Sequence, residues 1–162
     1  MPKAAAGILL YRLRQGELEV LLAHPGGPFW ARKDAGAWTI PKGELDPDED
    51  PLAAARREFG EETGWDPAGE FVALRPRKQP GGKVISAWAV EGDYDPRTLR
   101  SNTFAMEWPP RSGSTAEFPE IDRADWFTIP QALEKILPGQ REFLNELNGI
   151  VSQGSRRIQV DP

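Results

Sequence analysis

The chain has 162 residues, 39% of them hydrophobic and 28% charged, enough for one globular domain with a sizeable core. Its formal net charge of −5 argues against a nonspecific nucleic-acid binder, and the absence of cysteine excludes disulfides, thiolate zinc sites and a cysteine nucleophile. Residues 1–10 hold too short an apolar run for a signal-peptide core and no stretch is long enough to span a membrane, so a cytoplasmic protein is expected.

Residues 4–14 and 18–24 are rich in Leu, Ile and Val around Gln15-Gly16-Glu17, which predicts two strands joined by a hairpin turn. Residues 25–36 carry Pro25, Gly26, Gly27 and Pro28, then Arg32, Lys33 and Asp34, and predict a long exposed loop of a length often tied to function. A short strand over residues 37–40 leads to Pro41-Lys42-Gly43. Asp50 suits an N-cap, Pro51 the first helical position and Gly64 the residue just past the end, so a helix is predicted over residues 51–63. Gly60 inside it costs about 1 kcal/mol relative to Ala, so tertiary packing must help hold that helix.

Strands are predicted over residues 70–75 and 83–91, on either side of the Pro80-Gly81-Gly82 turn, and over 102–108. Residues 109–119 read as a loop, 125–129 as a short strand, and 130–137 and 139–150 as helices, with fraying after Ser152. Residues 1–152 are expected to form one domain and 153–162 a C-terminal tail. Interleaved strands and helices give the α/β class, with helices covering a sheet.

On a helix turning about 100° per residue, Glu58, Glu61 and Glu62 fall on one face, beside a mostly apolar stripe of Leu52, Ala55, Phe59 and Thr63. Alone, such carboxylates suit a solvated charged face, with Arg57 and Glu49 as ordinary surface charges. They also suit a divalent cation, because hard cations take oxygen ligands and convert like-charge repulsion into ligation.

The full spacing decides between these readings. Gly43, Glu49, Arg57, Glu58, Phe59, Glu61, Glu62, Gly64 and Trp65 occupy every defined position of Gly-x5-Glu-x7-Arg-Glu-U-x-Glu-Glu-x-Gly-U, with U a bulky apolar residue. The segment resembles the Nudix box, with Trp65 a less usual choice at the last position. The segments FWARKDAGAWTIPKGE, FAMEWPPRSG and FPEIDRADWF also look like a bacterial group of predicted NTP pyrophosphohydrolases within that superfamily. The resemblance implies an α/β/α sandwich around a mixed sheet and an enzyme that cleaves a phosphoanhydride with Mg²⁺, or Mn²⁺ in its place.

Carried over by position, the resemblance makes Glu61 and Glu62 principal metal ligands, Glu58 a further ligand or the base, and the Lys42 carbonyl another ligand. Arg57 and Glu49 would form a salt bridge that orients the helix, and Gly43 and Gly64 would serve the loops at its ends. An additional downstream carboxylate is expected from Glu120, with Glu117 as competitor. Lys42, Arg32 and Trp30 are the candidate substrate contacts, Trp30 by stacking on a base. Trp38 and Trp88 read as core, and His24, the only histidine, as the end of a strand.

The expected partner is a small nucleoside polyphosphate or dinucleotide, with no membrane and no nucleic acid. Two other readings stay open: a Nudix-fold nucleotide sensor without catalysis, and an enzyme acting on the 5′ end of RNA, for which a local basic groove would have to override the net charge.

Overall fold

A long apolar strand, β1 (Ala4–Arg14), sends alternate side chains to opposite sides and so sets the layering. Ala5 and Leu9 join one buried cluster, and Ala6, Ile8 and Leu10 join another. A strand buried on both faces needs helices on both, and the remaining elements supply them. The computed structural model describes residues 3–160, with side chains described through Gln153.

The hairpin partner β2 (Glu17–Pro25) is followed by the long loop and then by β3 (Lys42–Glu44). Helix α1 (Pro51–Thr63) comes next, then β4 (Val72–Ala73), β5 (Arg77–Lys78) and β6 (Val84–Glu91). After these come β7 (Thr103–Glu107), β8 (Thr115–Pro119), β9 (Ile121–Thr128), α2 (Ile129–Lys135) and α3 (Arg141–Val160). The main sheet runs β4-β6-β1-β2-β9, with β3 also on β1 and β5 also on β6. Strands β1 and β6 pair in parallel and the other pairs are antiparallel, so the sheet is mixed. Helix α1 contributes Ala54, Ala55 and Phe59 to one cluster, while α2 and α3 contribute Ile129, Ala132, Phe143, Leu144 and Leu147 to the other. The architecture is an α/β/α sandwich.

Several boundaries differ from the sequence expectation. Residues 37–40 form no strand: Thr39 and Trp38 make only isolated bridges, to Ala23 and Ile136. Residues 115–119, expected within a loop, form β8 and pair with β7 in a separate two-stranded arm. Strand β9 begins earlier than predicted, at Ile121, because its whole length pairs with β2. Helix α3 continues to Val160, past the predicted end at Ile150, and residues 161–162 of the predicted tail lie outside the described residues. Trp38 is 4% exposed, as expected of core, whereas Trp88 is only half-buried against the α1-side cluster.

Phe59 anchors α1 to the sheet with a fully buried ring. Phe59→Ala is expected to destabilise the fold by roughly 3–5 kcal/mol, read as a lowered midpoint in urea denaturation.

Candidate functional site

Helix α1 starts where Asp50 accepts a hydrogen bond from the Ala53 backbone N–H and Pro51 needs no partner. It ends at Gly64, whose left-handed backbone (φ 79°) lets its N–H reach the Gly60 carbonyl at 2.8 Å. Farther along the chain, the buried Tyr94 donates its hydroxyl to the Thr63 carbonyl at 2.8 Å, and the Asn102 N–H reaches the Glu61 carbonyl at 2.8 Å. The last turn, which carries Glu61 and Glu62, is therefore fixed from outside the helix as well as within it.

Arg57 organises the acidic face. Its Nε and Nη2 each donate to Glu49 at 2.9 Å, a two-pronged pair. Its Nη1 donates to Glu58 at 2.9 Å and to Glu61 at 3.3 Å. Glu49 also accepts from the Asp46 N–H, and the Arg57 guanidinium together with that N–H holds the Glu49 carboxyl down at about 2. The same carboxylates push the Arg57 guanidinium up, so it stays charged.

Gly43 lies in β3 with ordinary strand geometry, and the space where its side chain would stand is filled by the Glu58 carboxylate. Any Cβ there would overlap that carboxylate. The glycine therefore permits a close approach between strand and helix. Glu58 remains only 16% exposed, and Glu62 only 9%. Burial, then repulsion from Glu58, raises the Glu62 carboxyl from its ordinary 4.5 to about 8, against the pull of the Lys42 ammonium and backbone. Burial and repulsion from Glu61 likewise push Glu58 up, although Arg57 opposes the shift. The Lys42 ammonium is pushed down by burial and by neighbouring Lys83.

Glu120 sits between β8 and β9 and is exposed, and its charge acts on both Glu58 and Glu62. Its N–H donates to the Asn102 carbonyl at 2.7 Å, and its carbonyl accepts from the Gly26 N–H at 2.9 Å. A backbone relay thus runs from Glu61 through Asn102 and Glu120 to the long loop. Glu117 stands out on the β8 arm opposite Ala105. Asn102 and Tyr94 carried no signal in the sequence, because their work is done by backbone groups and by a single phenol at long range.

The other candidates are not gathered in. Arg32 is exposed on the loop, and half-buried Trp30 is covered by the Lys33 ammonium 4.9 Å from its ring. Neither makes a hydrogen bond or ion pair with Glu58, Glu61, Glu62 or Glu120 among the described residues. His24 does end a strand, and it also ties the loop down. Its ring nitrogens lie 2.8 Å from the Asp122 carboxylate and 2.6 Å from the Lys33 carbonyl.

Chemically, the site offers carboxylates at the join of one helix and one short strand, with one guanidinium partly balancing them. Among the described residues no three of them are clustered as a ready-made metal cage. Arg57 draws Glu58 and Glu61 to itself, and the Glu61 side chain, 40% exposed, has room to swing. The donor set is all oxygen and carries uncompensated negative charge, which fits a hard divalent cation that competes with Arg57 for Glu58 and Glu61.

Residues 1–147 match the family model of the NUDIX domain. The chain is 30% identical to an RNA pyrophosphohydrolase of Brucella anthropi over 126 residues, 68% of this chain and 67% of that protein. It is 32% identical to an RNA pyrophosphohydrolase of Roseobacter denitrificans over 117 residues, 67% of this chain and 71% of that one. In fold it is similar to an Ap4A hydrolase of C. elegans in a binary complex, with TM-score 0.65 and 21% identity over 92% of this chain and 98% of the other. It is also similar to the NUDIX domain of Shewanella oneidensis NrtR bound to ADP ribose, with TM-score 0.58 and 16% identity over 98% and 89% of the two chains.

A carboxyl whose folded value is raised binds its proton more tightly in the folded state. Its contribution to stability is full below the unfolded value of 4.5 and is lost as pH rises through about 8. In EDTA, Glu62→Gln is therefore expected to raise the thermal midpoint at pH 8.5 (on the order of half a unit above that value) and to change it little at pH 4.5, as differential scanning fluorimetry would read.

Proposed function

The chain belongs to the NUDIX domain family and is a pyrophosphohydrolase, and from that premise we propose that it hydrolyses a phosphoanhydride bond in a nucleoside polyphosphate or dinucleotide with Mg²⁺, or Mn²⁺ in its place. The observation that carries this reading is the seating of Glu58 over Gly43, which brings the carboxyls of Glu58 and buried Glu62 against β3, with only Glu58 hydrogen-bonded to Arg57. Glu61, Glu62, Glu58 and the Lys42 carbonyl are the groups that would hold the cation. A divalent cation held there would supply charge neutralisation to the substrate's phosphates and would make a water easier to deprotonate.

The chain's own groups do the rest. Arg57, braced by Glu49, keeps the carboxylate-bearing turn in register with β3. Glu120 is the proposed proton acceptor, because it faces the cluster without an ion-pair partner among the described residues, whereas Glu58 is held by Arg57. As the proton of the attacking water passes to Glu120, its oxygen bonds to phosphorus. The anhydride P–O bond breaks and the phosphate or nucleotide leaves with the electron pair. The Lys42 ammonium offsets negative charge beside Glu62 and is placed to meet a phosphate oxygen. Arg32 and Trp30 remain proposed substrate contacts from the long loop, and Gly64 serves to end the helix beside the site.

A second reading takes the substrate to be the 5′-terminal polyphosphate of an RNA. It is favoured by the RNA pyrophosphohydrolases to which the chain is 30% and 32% identical. Both readings use the same carboxylates on the same bond type and differ in the moiety attached to the phosphates. A sensor without catalysis has the intact glutamates against it.

Glu61→Gln and Glu62→Gln are each expected to abolish Mg²⁺-dependent turnover with the circular dichroism spectrum unchanged, and near wild-type turnover in both would sink the assignment. Glu120→Gln should lower kcat by roughly 10²–10⁴ while leaving Mn²⁺ affinity intact. Product identification across nucleoside triphosphates, dinucleoside polyphosphates, ADP-ribose and 5′-triphosphorylated RNA separates the two substrate readings.

A further inference from the structure

Residues 38–41 bring the chain to β3 through isolated bridges, and their backbone is held by contacts from several directions. Thr39 exchanges hydrogen bonds with Ala23 at 2.8 and 2.9 Å, and the Pro41 carbonyl accepts from the Ile8 N–H at 3.1 Å. The N–H of fully buried Ile40 donates instead to a side chain, Gln140 Oε1, at 3.0 Å. Gln140 stands in the short turn Pro138–Gln140 between α2 and α3, 100 residues along the chain, and is itself fully buried. Its Nε2 donates to the Thr39 hydroxyl at 2.9 Å, and that hydroxyl donates onward to the Ile40 carbonyl at 2.8 Å. One side-chain amide thus serves a buried stretch of backbone as a neighbouring strand would.

Gly7 holds the same segment from the sheet. A Cβ there would come within 2.7 Å of the Pro41 carbonyl oxygen and 2.8 Å of the Lys42 Cβ. Strand β1 therefore touches the incoming chain directly, and Gly7 is the residue in register with Lys42.

These contacts fix the peptide between Pro41 and Lys42. Its carbonyl is the one bonded to Ile8, and its N–H bonds the carboxylate of buried Glu62. The next residue, Gly43, is the seat of Glu58. A shift at Ile40 is passed within three residues to the backbone that meets both carboxylates. Neither Gln140 nor Gly7 lies in the segment from Gly43 to Trp65, and nothing in the reaction above uses them. A wholly buried amide is costly unless every polar atom is paired, so the site keeps it for the bonds that it makes.

We infer that Gln140 is a positioning residue for the reaction: with Gly7 it clamps residues 40–42, so that the Lys42 carbonyl is already in place beside Glu58 and Glu62 before a cation arrives. The inference rests on the cation site proposed above and adds to it a backbone ligand held from the connection between α2 and α3.

The test is titration of the full chain with Mn²⁺, with the free ion read by electron paramagnetic resonance. Gln140→Met keeps the length and removes the amide, and is expected to weaken Mn²⁺ binding roughly 10–100-fold. Gln140→Glu should restore most of the affinity, because its carboxylic acid form accepts from the Ile40 N–H and donates to the Thr39 hydroxyl. Leu147→Ala opens the same core cluster on α3 without touching the clamp, and should bind Mn²⁺ as the wild type does. Wild-type crystals with and without Mn²⁺ give a reading that needs no variant: the Lys42 carbonyl oxygen should hold its place to within about 0.5 Å. Equal affinity in Gln140→Met, an equal loss in Leu147→Ala, or a Lys42 carbonyl that moves well beyond that distance would overturn the inference. Failure of the wild type to bind Mn²⁺ would overturn the proposed cation site itself.

Discussion

One guanidinium hydrogen-bonds three carboxylates, and the geometry of the site depends on it. Arg57 contacts Glu49 twice at 2.9 Å, Glu58 at 2.9 Å and Glu61 at 3.3 Å. Without it, Glu58, Glu61 and Glu62 would stand on one helical face with only repulsion among them. Glu49 belongs to the segment before the helix, so the same contacts fasten that segment to α1. Arg57 also bonds the Glu44 carbonyl at 3.3 Å, which adds the end of β3 to the assembly. Its hydrogen bonds serve Glu49, Glu58 and Glu61 but not Glu62, the most buried of the acids, whose carboxyl is pushed up to about 8 by burial and then by repulsion from Glu58. That crowding of acids is what makes the face suited to a cation.

The sheet explains why the acids crowd at this place. Strand β1 pairs with β2 over its second half and with β3 over its first, so β3 lies where α1 crosses the sheet. A residue with no side chain is needed where helix and strand meet, and Gly43 supplies it. The far end of α1 is tied by Tyr94 and Asn102, and the relay from Asn102 through Glu120 to Gly26 brings the downstream acid and the long loop to the same rim. Beside β3, Lys42 and Lys83 line a cleft with Pro80, Ile85 and Leu137. Carboxylates and lysines are thus presented beside a strand of three residues.

Features that depend on local chemistry were legible in the residues. The N-cap at Asp50, the Pro at the first helical position and the left-handed Gly64 bound α1 as expected, and the alternation in β1 and β2 marked the sheet. Features that depend on distant partners were hidden. Strand β8 looked like loop because prolines, serines and a glycine surround it, and only its register with β7 makes it a strand. Residues 37–40 have strand-like side chains yet find only isolated bridges. The spacing of Gly43 from Glu58 was visible, but its steric reason was not, since it requires knowing that the helix folds back over its own approach strand. Lys42 and Lys83 are far apart in sequence and meet only because β3 and β6 both flank β1.

The central claim is that the carboxylates of α1, with the backbone of β3, form a cation site once Arg57 yields part of its hold on Glu58 and Glu61. Anomalous diffraction from crystals soaked in Mn²⁺ tests this most directly. The account predicts a peak between Glu58, Glu61, Glu62 and the Lys42 carbonyl, the oxygens that would hold the ion. An ordered Mn²⁺ found only away from α1, or none at millimolar concentration with Arg57 still bridging Glu58 and Glu61, would contradict it.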